Sequence, residues 1–194
     1  MIQARLAERL GHSAPSVSET VRRLIDEGLV TRSGRILVLT AEGEARAEGV
    51  VRKHRLAERL LTDVIGLPWH KAHLEAGRWE HVISDEVEAR LVLILGNPTT
   101  CPHGNPIPGA GAPRRDLTPL DDAEKGQQLR LERIAEAVEL DGAALLYLDQ
   151  YGFRPGVAAT VRDRVPDGTL VLDVGGQTVA IGPSLGKQLY VSLT

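Results

Sequence analysis

Apolar positions repeat at helical spacing at the start of the chain and then change to strand-like runs. Residues Ile2–Leu10 predict a first helix, and a second helix follows Ser13, a residue that favours helix N-termini. Two short apolar runs, Leu29–Thr31 and Ile36–Leu39, flank a turn and predict a β-hairpin. Helix, turn, helix and hairpin in this order predict a winged helix-turn-helix domain over residues 1–39.

The next block, residues 40–96, has the apolar spacing of long helices. Thr40 is placed to cap the first of them, and Gly66 is placed to end it. After Pro68 the helical spacing continues to Leu95. This predicts that a second long helix spans the whole stretch.

The last hundred residues change character. Six of the eleven prolines lie in residues 97–119, which predicts an extended linker. Four short apolar runs then alternate with glycine, proline and aspartate turns within residues 158–193, the pattern of a small antiparallel barrel. The prediction is an α+β multidomain chain: residues 1–39, a helical block with its Pro-rich linker over 40–112, and a small β-barrel over 120–194.

Composition limits the chemistry available to the chain. It has 194 residues and a formal net charge of −3, with a slight basic excess only in residues 1–39. Cys101 is the only cysteine, so an intrachain disulfide and a four-cysteine zinc site are excluded. The sequence has neither a signal-peptide pattern nor an apolar run of membrane-spanning length. These features predict a cytoplasmic protein without a membrane partner.

Polar groups interrupt the apolar stripes of the helical block. His54 and Glu58 are four residues apart on the stripe of the first helix, and His73 and Glu80 lie on that of the second, with His81 alongside. Burial of a carboxylate is costly unless a cation compensates it, and imidazole with carboxylate is a ligand set for first-row divalent metals. The alternative is histidines in ordinary packing, with neighbouring glutamates as their partners.

The second predicted helix carries a polar outward face. A recognition helix reads bases from its N-terminal residues, and arginine and hydroxyl groups hold phosphates. Either a solvated face or a protein contact would also explain this surface. The candidate DNA-contacting residues, including one at the hairpin tip, are Pro15, Ser16, Ser18, Glu19, Arg23 and Arg35.

Three segments together resemble the diphtheria-toxin-repressor family of metal-dependent transcriptional repressors. They are VRKHRLAERLLTDVIGL at Val51–Leu67, RWEHVISDEVEARL at Arg78–Leu91 and CPHGNPIPG at Cys101–Gly109. The resemblance implies a winged helix-turn-helix, a helical dimerisation domain and a C-terminal barrel of Src-homology-three type. It favours the iron-dependent branch, because the shorter manganese-sensing branch lacks the third block.

The resemblance also implies partners and metal ligands. A homodimer would bind a double-stranded DNA operator with Fe2+ as co-repressor, Mn2+ being the second choice, and no small organic ligand is expected. An ancillary site would use His54, Glu58 and His73, completed by Glu136 and Glu139 of the barrel domain. A primary site would use Glu80 and His81 together with the position of Gly77.

The chain departs from the family pattern at three points. Gly77 offers no side-chain ligand where the family has cysteine or an acid, and Glu19 stands where glutamine is usual. The family's first helix, which precedes the region of Ile2, is missing from this sequence. Two readings compete with a metal-activated repressor of metal-homeostasis genes: a degenerate dimerisation and metal-binding module of the same family, and a two-helix metalloenzyme with Glu80 as general base. A recognisable catalytic motif is lacking, so a non-enzyme is expected.

Overall fold

The computed structural model describes residues 2–113 and 116–193, and these residues form two compact units. The first unit comprises residues 1–50 and the second residues 51–194. Within the described part of the chain, no helix combines the length and apolar character needed to cross a bilayer.

The first unit has the predicted winged helix-turn-helix elements. They are α1 (Gln3–Leu10), α2 (Ala14–Asp26), β1 (Val30–Ser33) and β2 (Ile36–Leu39). Ser13 caps α2, because its side chain accepts a hydrogen bond from the Ser16 backbone N–H. Val17 and Val21 bury the inner face of α2, and β1 pairs antiparallel with β2. The predicted order of helix, helix and hairpin is confirmed.

Three helices form the next part of the chain. They are α3 (Ala41–Arg59), which continues into a π-helical turn at Leu60–Val64, then α4 (Trp69–Trp79) and α5 (Asp85–Ile94). Thr40 caps α3 as predicted, through a 3.0 Å hydrogen bond from the Gly43 backbone N–H.

The prediction of one helix from Pro68 to Leu95 is wrong, because α4 ends at Trp79. Ser84 begins a new helix, and its side chain accepts a hydrogen bond from the Val87 N–H. Acidic residues at Asp85, Glu86 and Glu88 fill the first turn, where they favour a helix N-terminus. Residues 80–84 therefore form a turn in the middle of the predicted helix.

The predicted linker is largely a packed segment. Cys101, His103, Asn105 and Ile107 are buried, and Thr100 forms a β-bridge with Pro106. Gly104 has a φ of +84°, and an ideal Cβ there would lie 1.9 Å from the Glu132 carbonyl oxygen. Only glycine allows this close approach, which holds the Cys101–Asn105 loop against the strand that contains Glu132.

The C-terminal part is a six-stranded antiparallel sheet with short helices. The strands are β3 (Thr118–Pro119), β4 (Gln128–Ile134), β5 (Ala158–Arg164), β6 (Leu170–Val174), β7 (Gln177–Ile181) and β8 (Leu189–Leu193), in the order β3-β8-β4-β5-β6-β7. The helices are a 3-10 turn at Leu120–Asp122, α6 (Glu136–Glu139), α7 (Gly142–Gln150) and α8 (Pro183–Gly186). A mostly aliphatic core, which includes Leu129 and Leu172 and also the aromatic Phe153, fills the sheet's inner side. The predicted small barrel of Src-homology-three type and the α+β class are confirmed.

Candidate metal centre

Six side chains from four parts of the second unit converge on one buried point. His54 and Glu58 come from successive turns of α3, and His73 comes from α4. Glu139 comes from α6, and the Cys101–Asn105 loop adds Cys101 and His103. We call these six side chains the Glu58 cluster. The cluster contains two overlapping sets of donor atoms that are close enough together to bind one metal ion. The first set is His54, Glu58, His73 and Glu139, and the second is Glu58, Cys101 and His103.

One carboxylate oxygen of Glu58 lies at the middle of the cluster. Its Oε1 is 3.2 Å from His54 Nε2, 3.0 Å from His73 Nδ1 and 3.3 Å from His103 Nδ1. The Glu58 side chain is fully buried. Three imidazoles thus surround a single acidic oxygen in a place that water does not reach.

Glu139 is the second buried carboxylate of the cluster. Its Oε2 lies 2.7 Å from His73 Nδ1 and 3.7 Å from His103 Nδ1. Its other oxygen accepts a hydrogen bond from the Asn105 amide, which also donates to the Ile134 carbonyl oxygen at 2.8 Å. Asn105 therefore fixes the orientation of the Glu139 carboxylate.

The pKa values of Glu58, His73 and His54 are shifted by their neighbours in the cluster. Burial alone would raise the pKa of Glu58, but the imidazoles of His103, His54 and His73 outweigh burial and hold it well below its usual range. Burial alone would lower the pKa of His73, but Glu139 and Glu58 outweigh it and raise that pKa to about 10. The pKa of His54 is raised for the same reason, mainly by Glu58. The metal-free cluster therefore favours a proton on His73 beside the Glu58 carboxylate.

Protons do not satisfy the whole cluster. Among the residues that the structure describes, Glu58 Oε2 and both ring nitrogens of His103 are buried and find no hydrogen-bond partner. Neighbouring nitrogen and oxygen atoms of the cluster lie 2.7 to 3.7 Å apart. Ligands at right angles around an ion, each about 2.1 Å away, would be about 3 Å apart. The residues present therefore fit a bound divalent ion in their chemistry and in their spacing.

Three residues predicted as metal ligands lie outside the cluster. Glu136 is mostly exposed and forms an ion pair with Arg55 at 3.0 Å. Glu80 lies beyond the cluster, with its Oε2 2.6 Å from His54 Nδ1, and His81 is exposed, with its Nε2 3.2 Å from Glu80 Oε1. Within residues 2–113 and 116–193, neither of the two sets of donor atoms spaced for a metal ion includes these three residues. Apart from its chain neighbours and the backbone of its own helix, no described residue has an atom within 4 Å of an ideal Cβ on Gly77.

Sequence reasoning missed three residues of this site. Cys101, His103 and Asn105 belong to the CPHGNPIPG segment. Its prolines and glycines led to the prediction of a linker. Cysteine, histidine and asparagine within five residues were the available signal, because thiol, imidazole and amide groups so close in sequence can be gathered at one site by a short loop.

The candidate DNA-contacting residues all lie in the first unit. Those on α2 are exposed, and Arg35 is exposed in the turn between β1 and β2. Ser18 accepts a hydrogen bond from the Gln3 amide, and Arg23 lies 4.0 Å from Glu27. The first of these contacts joins α2 to α1.

The chain matches known protein families along almost its whole length. Residues 40–109 match the metal binding and dimerisation domain of iron dependent repressors, residues 118–193 match the FeoA domain, and residues 1–35 match the MarR family. The iron-dependent repressor IdeR of Mycobacterium tuberculosis is 43% identical over 202 residues, which cover 98% of this chain and 88% of that protein. The diphtheria toxin repressor of Corynebacterium diphtheriae is 43% identical over 200 residues, with the same two coverages.

Solved structures agree with this relationship. A manganese-dependent transcriptional repressor in complex with manganese superimposes with a TM-score of 0.84 at 33% identity, over 99% of this chain and 90% of that one. The IdeR of T. acidophilum gives a TM-score of 0.77 at 27% identity, over 100% of this chain and 90% of that one. The predicted relationship is confirmed, and the chain belongs to the diphtheria-toxin-repressor family of metal-dependent transcriptional repressors.

Proposed function

We propose that the protein is a metal-activated, DNA-binding repressor of metal-homeostasis genes that acts in the cytoplasm. The observation that carries the proposal is the Glu58 cluster, in which two buried carboxylates and three imidazoles meet without enough hydrogen bonds to satisfy them. A divalent cation is the partner that such a donor set lacks. The helix-turn-helix elements of the first unit supply a surface for DNA.

A bound ion would be held by His54, Glu58, His73, Glu139 and His103, with Cys101 as a further donor. Its charge would neutralise the carboxylates and connect α3, α4 and α6. The third block does not select iron, contrary to the expectation from sequence, because the manganese-dependent structural relative covers the same length. Cys101 nevertheless favours Fe2+ over Mn2+, since thiolate is a softer ligand than carboxylate. Burial raises the pKa of the Cys101 thiol, so it would lose its proton only on coordination.

A homodimer is the proposed oligomeric state. Large apolar side chains on or next to α5 are exposed, namely Val82, Val87, Leu93 and Ile94. Exposed apolar surface of this kind marks a protein contact, and a second copy of the chain is the occupant we propose. Two helix-turn-helix units would then face two half-sites of a DNA operator.

The proposed DNA contacts use the exposed face of α2. Pro15, Ser16, Ser18 and Glu19 lie in its first half, where a recognition helix meets base edges. Arg23 and Arg35, both exposed, would contact phosphates. Glu19 can accept a hydrogen bond from a cytosine amino group, so cytosine-containing sites are expected among the preferred sequences.

The test is metal-dependent DNA binding by the full chain. A binding sequence is first selected from random duplex DNA in the presence of Mn2+, Co2+ or anaerobic Fe2+. Fluorescence anisotropy on the selected duplex should then show an affinity that falls at least tenfold when a chelator removes the metal. Glu58→Gln should bind weakly with or without metal, and the exposed control Glu86→Gln should behave as wild type. Equal affinity of the wild type with and without chelator would reject metal activation.

The degenerate module is the second candidate, and Gly77 is the observation that favours it. Without a ligand at this position, Glu80 and His81 are left as an incomplete site. Calorimetric titration with Mn2+ distinguishes the two: two sites per chain support the full repressor, one site supports a partly degenerate form that keeps the Glu58 cluster, and no binding supports the degenerate module.

A further inference from the structure

We propose that Glu80 is a positioning residue for the Glu58 cluster: it accepts a hydrogen bond from His54 Nδ1 and so turns His54 Nε2 toward the metal. This inference rests on the proposed function, because it assigns a role beside the same metal site. It gives Glu80 a different task from the metal ligand that the sequence predicted.

The geometry at His54 carries the proposal. One ring nitrogen, Nδ1, lies 2.6 Å from Glu80 Oε2. The other, Nε2, lies 3.2 Å from Glu58 Oε1 and 3.0 Å from His73 Nδ1. The imidazole therefore lies between Glu80 on one side and the other donor atoms of the Glu58 cluster on the other.

This arrangement determines which nitrogen is free to bind a metal. A neutral imidazole has one N–H donor and one acceptor nitrogen. The Glu80 carboxylate has only acceptor oxygens when ionised, so it selects the tautomer with the proton on Nδ1. The lone pair of Nε2 is then directed into the cluster. A carboxylate behind a ligating histidine fixes its ring orientation and increases its basicity.

The position of Glu80 in the fold keeps its carboxylate in place. Its backbone N–H donates to the Ala76 carbonyl oxygen at the C-terminal end of α4, and its side chain is 20% exposed. His81 Nε2 lies 3.2 Å from the second Glu80 oxygen. The two carboxylate oxygens thus have separate neighbours, and Glu80 is held as an acceptor for His54.

Gly77 explains why this carboxylate can serve His54. A metal-ligating side chain at position 77, four residues before His81, would form a metal site with Glu80 and His81. Glu80 would then bind that metal and would not be available to His54. Glycine has no such side chain, and the space beside its Cα is open. In this chain Glu80 is therefore free to support the Glu58 cluster.

The experiment compares three full-length variants, Glu80→Gln, Glu80→Ala and the surface control Glu86→Gln. Co2+ is the metal used for affinity and for visible absorption, and Zn2+ is used for 15N NMR of the histidine rings. The wild type should show His54 protonated at Nδ1 in the Zn2+ form. Glu80→Ala should weaken Co2+ binding about 10- to 100-fold and lose the defined His54 tautomer, as expected for removal of such a partner.

Glu80→Gln should fall between wild type and Glu80→Ala, because its amide oxygen can still accept the Nδ1 proton. The Co2+ absorption bands should keep their positions in Glu80→Gln, since the ligands themselves are unchanged. Loss of binding in Glu80→Gln as complete as in Glu58→Gln would make Glu80 a direct ligand and overturn the inference. Wild-type affinity and tautomer in Glu80→Ala would overturn it while leaving the proposed function intact. Failure of the wild type to bind Co2+ would overturn both.

Discussion

At the residue scale, the proximity of His54 and Glu58 was predictable because both lie on one helix, α3. His54 and Glu58 are four residues apart, so they meet on one face of any helix that contains them. Cys101 and His103 were not predictable in the same way, because they lie in an irregular loop whose path depends on Gly104 and on β4. Glu136 illustrates the same limit: a short helix presents Glu139 to the cluster and Glu136 to Arg55.

Metal affinity should rise with pH well beyond the range of ordinary histidines. Metal must displace protons from His54 and His73, and the pKa of His73 in the metal-free protein is about 10. Affinity for Co2+ should therefore keep increasing from pH 6 to pH 9, and binding at pH 7 should release at least one proton per ion. Calorimetry in buffers of different ionisation enthalpy measures that number. An affinity that levels off above pH 7 would contradict the raised pKa of His73.

The stability of the metal-free protein should depend on pH in a related way. The pKa of His73 is raised from 6.5 to about 10 on folding, so its contribution is complete below about pH 6.5 and disappears as the pH rises toward 10. The pKa of Glu58 is lowered from 4.5, so its contribution is complete above pH 4.5 and is lost as the pH falls further. Urea unfolding in the presence of a chelator should give maximal stability between these limits. A metal-free stability that increases steadily from pH 7 to pH 10 would contradict this assignment.

His103→Phe should separate metal binding from packing. The His103 ring is fully buried, lies 4.8 Å from the Trp69 ring, and its Nδ1 lies 3.3 Å from Glu58 Oε1. Phenylalanine keeps the aromatic contact but removes an imidazole that helps to hold the buried Glu58 carboxylate ionised, so the metal-free variant should unfold at a somewhat lower urea concentration. Co2+ affinity should fall at least tenfold if the ring is a ligand. Equal affinity for Co2+ in wild type and variant would exclude His103 from the site.

At the element scale, the helices and strands followed from apolar spacing, and the errors came where a cap or a glycine outweighed it. The apolar pattern runs through residues 80–84 without a change, but the Ser84 cap and the acidic residues after it start a new helix there. The segment from residue 97 to residue 110 has the composition of a linker, yet it buries Cys101, His103, Asn105 and Ile107. A proline- and glycine-rich composition predicts an extended backbone, but it does not predict whether the rest of the protein buries that segment.

Ser84→Ala should destabilise the second unit by about 1 kcal/mol. The hydroxyl satisfies the Val87 N–H at the start of α5, and alanine cannot replace it. Ser84→Asp is the matched variant, because aspartate caps equally well. Thermal unfolding of the metal-free variants should show the loss in Ser84→Ala only, and equal losses in both would mean that the cap is not the cause.

Substitutions of Gly77 should have two separable effects. The position is helical and open, so Gly77→Ala should stabilise the metal-free protein by about 0.5–1 kcal/mol without changing metal stoichiometry. Gly77→Asp adds a carboxylate near Glu80 and His81 and should raise the number of Mn2+ ions bound per chain. Calorimetric titration of both variants measures this difference, and an unchanged stoichiometry in Gly77→Asp would count against the primary site that the family resemblance implies.

At the scale of the whole molecule, the order of the three blocks was predictable, whereas the subunit contact was not fixed by sequence. Exposed apolar groups at α5 favour a contact between two chains. Ile94→Glu should therefore shift the protein from dimer to monomer in analytical ultracentrifugation and weaken DNA binding. Gln177→Glu, at an exposed position of β7 in the C-terminal domain, is a control that adds the same single negative charge. A dimer that persists in Ile94→Glu would place the subunit contact elsewhere.

The Glu58 cluster collects its members from residue 54 to residue 139, and this span has a mechanical consequence. An ion held there would act as a reversible cross-link that closes a long loop of chain, much as a disulfide does in secreted proteins. The single cysteine makes a covalent link of that kind impossible within the chain. Metal supply would then govern how often α6 and the strands beside it open to solvent, and amide hydrogen exchange there should slow as the ion concentration rises.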